Sequence, residues 1–221
     1  MSNFNIIRKN DIEKTFRVAK VMSDFDVKIE HSNEQFQGNI DLPKEWNIGL
    51  IVGGSGTGKS TIANELFKDN IIKEFDYNNK SVLDNMPENI ETKDIEKMFY
   101  SVGFGSVPSW LKPYNVLSNG EKMRVDLARA LLEKDFIVFD EFTSVVDRQV
   151  AQTACIAIKG TNKKFIAVSC HKDIIEWLQP DWIFDTDNMQ QVFQLAHDQK
   201  NNLQLENVGE MNGENLASII I

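Results

Sequence analysis

Residues 53–60 read GGSGTGKS and match the pattern G-x-x-x-x-G-K-[ST], in which a glycine-rich loop surrounds phosphate groups. The glycines let successive backbone N–H groups turn inward, and the start of a following helix adds unpaired N–H groups and a favourable dipole. Lys59 would neutralise the β- and γ-phosphates of a nucleotide, and the Ser60 hydroxyl would join the shell of a Mg²⁺ ion. The candidate nucleotide-binding residues of this loop are Gly53, Gly54, Ser55, Gly56, Thr57, Gly58, Lys59, Ser60 and Thr61.

Two acidic residues end the apolar run FIVFDE and supply the matching carboxylates. Asp140 is placed to hold Mg²⁺ through water. Glu141, one residue on, points elsewhere and is placed to orient or deprotonate the attacking water. A pair of acids at the end of a strand is also typical of a solvated loop start. Beside a phosphate loop, we favour the catalytic interpretation, with Lys59 and Glu141 as catalytic residues.

These residues need a scaffold that brings several strand ends together. Apolar runs predict strands at 46–54, 80–84, 136–140, 164–169 and 181–185, and helical spacing predicts helices at 59–67, 92–102, 121–133, 147–158 and 172–178. Strands that are apolar throughout and alternate with helices indicate an α/β fold with a mostly parallel sheet. Residues 15–41 approach alternation and predict an N-terminal antiparallel extension; the apolar residues on which this pattern rests are Phe16, Phe25, Val27, Ile29 and Phe36.

Residues 117–121 (LSNGE) lead into a predicted helix and open the stretch LSNGEKMRVDLARALL, which ends four residues before the FIVFDE strand. Ser118 and Glu121 have the spacing of a capping box, so the segment is also interpretable as an ordinary helix start. In this position it resembles the LSGGQ signature of ATP-binding-cassette proteins. Leu117, Ser118 and Gly120 keep that pattern, whereas Asn119 and Glu121 depart from it.

The resemblance covers roughly residues 46–185 and implies further roles. In this family, the signature of one subunit caps the γ-phosphate held by the other subunit, so Ser118 and Gly120 are expected to contact ATP across a dimer interface. Residues 144–147 (SVVD) resemble the D-loop, in which Asp147 would help to couple the two sites. His171 occupies the place of the switch histidine that contacts the γ-phosphate.

The interval between the phosphate loop and the signature departs from the family pattern. Lys59 and Ser118 are 59 positions apart, which is short for a transporter cassette and implies a small helical subdomain. The Q-loop glutamine is missing, and Asn85 or Asp84 stands where it would be expected; Asn85 is our candidate nucleotide and Mg²⁺ ligand. Residues 107–114 (VPSWLKPY) are interpretable as packing or as a partner site. Phe16, Phe25 and Phe36 are alternative candidates for stacking on adenine.

Composition limits the class of protein further. The chain has 221 residues, 42% of them hydrophobic, which suits one domain with a small subdomain. A net charge of −9 opposes a broad nucleic-acid surface. The sequence contains no apolar run near the ~18 residues that would cross a bilayer and no apolar signal core at its start. Cys155 and Cys170 fit reduced thiols, so a cytoplasmic protein is expected.

We therefore predict a nucleotide-binding domain over residues 1–185, with 86–120 as the reduced helical subdomain, followed by a terminal strand and mobile polar tail over 186–221. The predicted function is Mg-dependent ATP binding and hydrolysis, with ATP sandwiched in a homodimer that closes on an unknown protein or nucleic-acid partner. The alternatives are the ATP-binding subunit of a membrane transporter and a slow ATP switch outside transport, with DNA repair as one setting.

Overall fold

The computed structural model describes residues 2–9, 13, 15–26 and 33–193. The strands are β1 (Ser2–Lys9), β2 (Asn33–Ile40), β3 (Ile48–Val52), β4 (Phe136–Phe139), β5 (Lys164–Ser169), β6 (Trp182–Asp185) and β7 (Gln190–Phe193). The helices are α1 (Phe16–Asp24), α2 (Lys59–Phe67), α3 (Thr92–Ser101), α4 (Val107–Trp110), α5 (Asn119–Glu133), α6 (Arg148–Lys159) and α7 (Ile174–Leu178). Short 3₁₀ turns occupy Leu83–Asn85 and Tyr114–Val116.

The main sheet has the strand order β4-β5-β3-β6-β7. Its first four strands are parallel, and β7 runs antiparallel to β6. A separate antiparallel pair is formed by β1 and β2. The predicted α/β class with a mostly parallel sheet and an N-terminal antiparallel extension is confirmed. Parallel strands end at a common edge, so the loops after β3, β4, β5 and β6 leave the sheet on the same side.

Apolar clusters lie on both faces of this sheet. Leu50 and Val52 of β3 belong to a cluster with residues of α3, α5 and α6, whereas Ile51 belongs to a cluster with residues of α2 and the β1–β2 pair. All five residues of β3 are buried. Alternate side chains of one strand therefore pack into two different layers, which explains why the strand is apolar without interruption.

The N-terminal expectation was partly wrong. Residues 16–24 form helix α1 and not part of an extended segment; the Thr15 hydroxyl caps it by accepting from the Val18 N–H at 3.3 Å. Strand β2 pairs with β1, whose residues lie before the predicted antiparallel segment at 15–41. The Val27 and Ile29 positions of the predicted pattern lie outside the described residues.

The predicted strand at residues 80–84 was also wrong, because local side-chain bonds form a turn there. Ser81 donates to the Asp84 carboxylate at 2.6 Å and accepts from the Asp84 N–H at 3.1 Å, and a 3₁₀ turn follows at Leu83–Asn85. The edge position beside β4 is taken by Ile71, which forms a parallel bridge with Val138. The segment that pairs with β4 at this edge of the sheet therefore lies about ten residues before the predicted strand at 80–84.

No helix among residues 2–9, 15–26 and 33–193 is long and apolar enough to cross a membrane. Strand β7 lies within the predicted terminal stretch, and residues 194–221 of that stretch lie outside the described part.

Candidate active site

The phosphate loop joins β3 to α2 at the carboxyl edge of the parallel sheet. Gly56 and Gly58 have φ angles of 80° and 87°, in the left-handed region that favours glycine. At Gly58 an added Cβ would also lie 2.5 Å from the Phe36 ring. The Lys59 ammonium is held within the loop, since its Nζ donates to the Gly54 carbonyl at 2.6 Å and the residue is 8% exposed.

The acidic end of β4 meets this loop. Ser60 Oγ donates to Asp140 Oδ1 at 3.1 Å, and the Glu141 N–H donates to the same oxygen at 2.9 Å. Glu141 has φ +52°, an uncommon left-handed conformation that turns the chain sharply after the strand and leaves the residue exposed. One hydroxyl and one carboxylate oxygen at this separation fit Mg²⁺, which prefers hard oxygen ligands and takes the others from phosphates and water.

His171 lies close to the segment that follows Glu141. Its Nδ1 is 3.3 Å from Thr143 Oγ1, and its backbone N–H donates to Ser169 Oγ at 3.1 Å. Thr143 is buried with φ +68°, which is costly for a β-branched residue. The backbone N–H of Phe142 donates to the carbonyl of Val168 at 2.8 Å and ties the segment to β5. The ends of β4 and β5 thus hold Glu141 and His171 on one edge of the sheet.

The LSNGE segment starts α5 through a complete capping box. Ser118 Oγ accepts from the Glu121 N–H at 3.3 Å, and the Ser118 N–H donates to Glu121 Oε2 at 3.0 Å. Ser118 Oγ also lies 2.9 Å from Oε2, and Ser109 Oγ donates to Oε1 at 2.8 Å. The Ser118 N–H and then the Ser109 hydroxyl lower the pKa of Glu121. The Glu121 side chain is therefore turned back to the cap as an ionised group.

The D-loop candidate packs beside this helix start. An added Cβ on Gly120 would lie 3.5 Å from the Val145 carbonyl and 3.6 Å from Val146. Asp147 caps α6 by accepting from the Val150 N–H at 2.9 Å. The structure thus brings the signature and D-loop segments together. In the described residues, the hydrogen bonds of Ser118 stay within the start of α5 and do not reach the phosphate loop.

Several known proteins are similar to this chain. A curated relative from Haemophilus influenzae, named an uncharacterized ABC transporter ATP-binding protein, is 32% identical over 135 residues. The match covers 48% of this chain and 55% of the relative, so the chain spans about half the length of that protein. No protein-family profile matches the chain.

Solved structures extend the comparison. A dimeric post-hydrolysis structure of the ATP-binding cassette MJ0796, bound to ADP and Pi, has a TM-score of 0.59 at 16% identity and matches 88% of this chain and 98% of its own. An ATP-bound bacterial Atm1-family ABC exporter has a TM-score of 0.54 at 20% identity, covering 73% of this chain and 35% of the exporter.

The chain has the fold of an ATP-binding-cassette ATPase. The resemblance predicted from the ordered motifs is thereby confirmed. At these identities the solved structures establish the fold, whereas the roles of the individual residues stay predictions.

The hydrogen bonds of Asn85 within the described residues do not reach the phosphate loop. Its Oδ1 accepts from the Asn78 N–H at 3.0 Å, and its Nδ2 donates to the Ser81 carbonyl at 2.8 Å. Asn85 is buried, so these bonds satisfy its amide within the loop that precedes α3. The contacts favour a structural role, and its action as a Mg²⁺ ligand stays a prediction.

The three aromatic candidates for adenine lie in different surroundings. Phe36 is buried and covers Gly58, whereas Phe16 is 85% and Phe25 is 74% exposed. A ring already packed on protein has little free face for a base. The burial pattern therefore favours a packing role for Phe36 and leaves the adenine contact as a prediction.

Sequence reasoning missed a polar cluster after β6. Asp187 Oδ1 accepts from the Gly54 N–H at 2.7 Å, and Lys172 Nζ lies 3.1 Å from Asp187 Oδ2. The Gly54 N–H is the main cause of a lowered pKa at Asp187, with Lys172 contributing. The run DTDN (185–188) begins at the last residue of the buried strand β6, at the same sheet edge as the phosphate loop. Its place at the end of a predicted parallel strand was the sequence signal that could have identified this cluster.

Proposed function

We propose that this cassette binds ATP with Mg²⁺ and hydrolyses it at a site completed by a second copy of the chain. One observation carries the proposal: Ser60 Oγ and Asp140 Oδ1 lie 3.1 Å apart, with Lys59 and Glu141 directly beside them in the chain. The phosphate loop thus supplies anion-binding groups, and the end of β4 supplies carboxylates for the metal and for water. Phosphoryl transfer to water requires these parts.

Each residue has a separate task in this proposal. Lys59 exchanges its bond to the Gly54 carbonyl for bonds to the β- and γ-phosphates. Mg²⁺, when bound, neutralises charge on the phosphates, and it would be held by Ser60 and, through water, by Asp140. The Glu141 carboxylate orients the attacking water and accepts its proton, while Pi and ADP form as the γ-phosphoryl group is transferred. His171 contacts the γ-phosphate.

The second copy would contribute the start of α5. Ser118 and the Gly120 N–H of one copy would cap the γ-phosphate held by the other, since a helix start favours an anion. Support comes from the hydrogen bonds of Ser118, which in the described residues stay within the start of α5, and from the dimeric cassettes that share the fold. In this proposal residues 1–185 form the nucleotide-binding domain, and 86–120 form its small helical subdomain.

Two other functions have specific support. The name of the curated relative favours the ATP-binding subunit of a transporter. The bond between Ser118 and Glu121 favours a slow ATP switch, since the signature hydroxyl is already engaged. In every case, closure of two copies on ATP would act on an unidentified protein or nucleic-acid partner.

The test compares the purified wild-type chain with Glu141→Gln, Lys59→Ala and Ser118→Arg. Phosphate release, ATP affinity and molecular mass by light scattering are measured with and without Mg·ATP. We expect Glu141→Gln to lower kcat by about 10²-fold or more and to accumulate an ATP-bound dimer. Lys59→Ala should lose ATP binding. Ser118→Arg should bind ATP as a monomer without turnover.

The matched control is Asp135→Asn, which removes an exposed carboxylate directly before β4, at the opposite end of the same strand. It should hydrolyse ATP like the wild type. Equal hydrolysis by wild type and Glu141→Gln would refute the role of Glu141, and full activity of Ser118→Arg would refute the two-copy site. ATP-dependent dimerisation with negligible wild-type turnover would favour the switch. Capture of a multi-span membrane protein by the Glu141→Gln dimer would favour the transporter subunit.

A further inference from the structure

The turn that follows β6 is hydrogen-bonded to the phosphate loop. Asp187 Oδ1 accepts the Gly54 N–H at 2.7 Å. Thr186 Oγ1 lies 2.6 Å from Thr57 Oγ1, and the Thr186 N–H donates to the Val52 carbonyl at 2.8 Å. The approach is close enough that a Cβ on Gly53 would lie 2.1 Å from Thr186 Oγ1. Both the start and the middle of the loop are therefore held from this turn.

The second oxygen of Asp187 faces a different segment. Lys172 Nζ lies 3.1 Å from Asp187 Oδ2 and 3.2 Å from Asp185 Oδ2. Lys172 directly follows His171, the candidate switch histidine. A single carboxylate thus contacts the phosphate loop through one oxygen and the histidine segment through the other.

The turn is held by hydrogen bonds to the Asp185 carboxylate. Asp185 is buried, and its carboxylate accepts from the Asp187 N–H at 2.9 Å and from Asn188 Nδ2 at 3.1 Å. A carboxylate satisfied in this way fixes the backbone that follows it. Asp187 is therefore presented from a defined position, although its own side chain is about a third exposed.

We propose that Asp187 is a positioning residue that sets the phosphate loop and the His171 segment relative to each other. The inference rests on the proposed function above. Gly54 receives Lys59 on its carbonyl and Asp187 on its N–H, so Asp187 orients the peptide group that leads into the Lys59 contact. Through Lys172, the same carboxylate holds the segment from which His171 would reach the γ-phosphate.

The charge of Asp187 makes this role testable. The ion pair with Lys172 needs the negative charge of Asp187, whereas the bond from the Gly54 N–H needs only an oxygen acceptor. Asp187→Asn retains an oxygen acceptor for the Gly54 N–H but loses the ion pair with Lys172. Asp187→Ala loses both contacts. If Asp187 aligns the histidine segment, Asp187→Asn should change turnover and leave ATP affinity nearly unchanged, whereas Asp187→Ala should weaken both.

The experiment measures kcat, the ATP dissociation constant and the melting temperature of both variants. We expect Asp187→Asn to lower kcat by about three- to tenfold, with the dissociation constant within about twofold of wild type. Asp187→Ala should also raise the dissociation constant by about three- to tenfold. In the Glu141→Gln background, Asp187→Asn should reduce the fraction of ATP-bound dimer.

Asp181→Asn is the matched control. Asp181 Oδ2 accepts the N–H groups of Asn47 and Ile48 at 2.7 and 2.9 Å, so it makes the same kind of bond at the opposite end of the β3–β6 pair. It should change only the melting temperature. The inference is overturned if Asp187→Asn keeps the wild-type kcat. It is also overturned if Asp187→Asn and Asp181→Asn lower kcat equally, in proportion to the stability that each loses. In either case, ATP hydrolysis by the wild type and formation of the ATP-bound Glu141→Gln dimer would still support the proposed function. A wild-type chain that neither binds nor hydrolyses ATP overturns both.

Discussion

The Glu121 carboxylate accepts hydrogen bonds from both the hydroxyl and the backbone N–H of Ser118, at 2.9 and 3.0 Å. An ionised carboxylate has no proton to donate, so the hydroxyl hydrogen of Ser118 points to Glu121. Ser109 holds the other carboxylate oxygen. A phosphate that reaches Ser118 must therefore displace this bond and approach a like charge. The departure of Glu121 from the signature pattern has a defined physical cost for a composite ATP site.

Replacing Glu121 by glutamine should strengthen the contact between two copies. In Glu121→Gln, the amide oxygen can keep the capping-box bond from the Ser118 N–H while the amide NH2 faces Ser109 Oγ. A neutral amide oxygen holds the Ser118 hydroxyl more weakly than a carboxylate does, so a phosphate can displace it more easily. Removal of one charge near a helix start has a modest effect, so we expect ATP-dependent dimerisation to tighten about two- to fivefold. Light scattering at several protein concentrations in the Glu141→Gln background measures this constant.

Glu133→Gln provides the control for this change on the same helix. Glu133 lies at the end of α5 and pairs with Arg129 at 2.7 Å, so its neutralisation removes an equal charge away from the signature. The dimerisation constant should not change in that variant. Weaker dimerisation of Glu121→Gln would mean that the carboxylate stabilises the signature geometry more than it opposes the phosphate.

Thr143→Val should reduce turnover without weakening ATP binding. The substitution keeps the shape and the β-branch of a buried residue but removes the oxygen that lies 3.3 Å from His171 Nδ1. His171 would then lose a group that orients its ring. We expect kcat to fall about three- to tenfold with KM within about twofold of wild type. Steady-state phosphate release gives both constants.

Thr153→Val tests whether loss of any threonine hydroxyl has this effect. Thr153 Oγ1 donates to the Gln149 carbonyl on the same turn of α6, away from the histidine segment. Its kcat should match the wild type. If Thr143→Val also retains wild-type kcat, the contact with His171 does not orient the histidine for turnover.

The scaffold was predictable where burial sets the pattern. The strands that became β3, β4, β5 and β6 are apolar throughout because both faces of the sheet are covered, and this signal fixed the α/β class. The same signal gave a wrong prediction at residues 80–84, where the hydrogen bond between Ser81 and Asp84 stabilises a turn in place of a strand. It also failed at residues 16–24, where a helix forms with none of its described side chains buried.

Residues of the candidate site could be predicted from the sequence where the backbone conformation or the strand end requires a particular residue type. Glycines in the left-handed region and a carboxylate at a strand end leave a sequence pattern, so Gly58 and Asp140 were accessible from the sequence. Contacts between segments distant in the chain leave no such pattern. The bond between Gly54 and Asp187 joins residues 133 positions apart, and only the strand order brings them together.

A half-buried polar cluster connects α5 to Tyr77 and Tyr114. Asp126 of α5 accepts from the hydroxyls of Tyr77 and Tyr114 at 2.8 and 2.6 Å, and the two rings stack with centroids 3.9 Å apart. Burial raises the pKa of Asp126, although both hydroxyls oppose that rise. The carboxylate is thus less favourable inside the cluster than in water.

Asp126→Asn should therefore stabilise the chain at neutral pH, by an amount that depends on pH. In the wild type, the pKa of Asp126 is higher in the folded chain than in the unfolded chain, so with rising pH the unfolded chain loses this proton first. The contribution of Asp126 to the free energy of unfolding is therefore fully present below pH 3.8 and is lost as the pH rises through the folded-state pKa. The amide introduced by Asp126→Asn does not ionise and can bond both tyrosines. The difference in free energy of unfolding, variant minus wild type, should therefore increase above pH 3.8 and then level off. Urea unfolding of both proteins between about pH 3 and pH 7 measures the difference. A difference that decreases with rising pH would show that the tyrosine hydroxyls outweigh burial and that the charged form is the stabilised one.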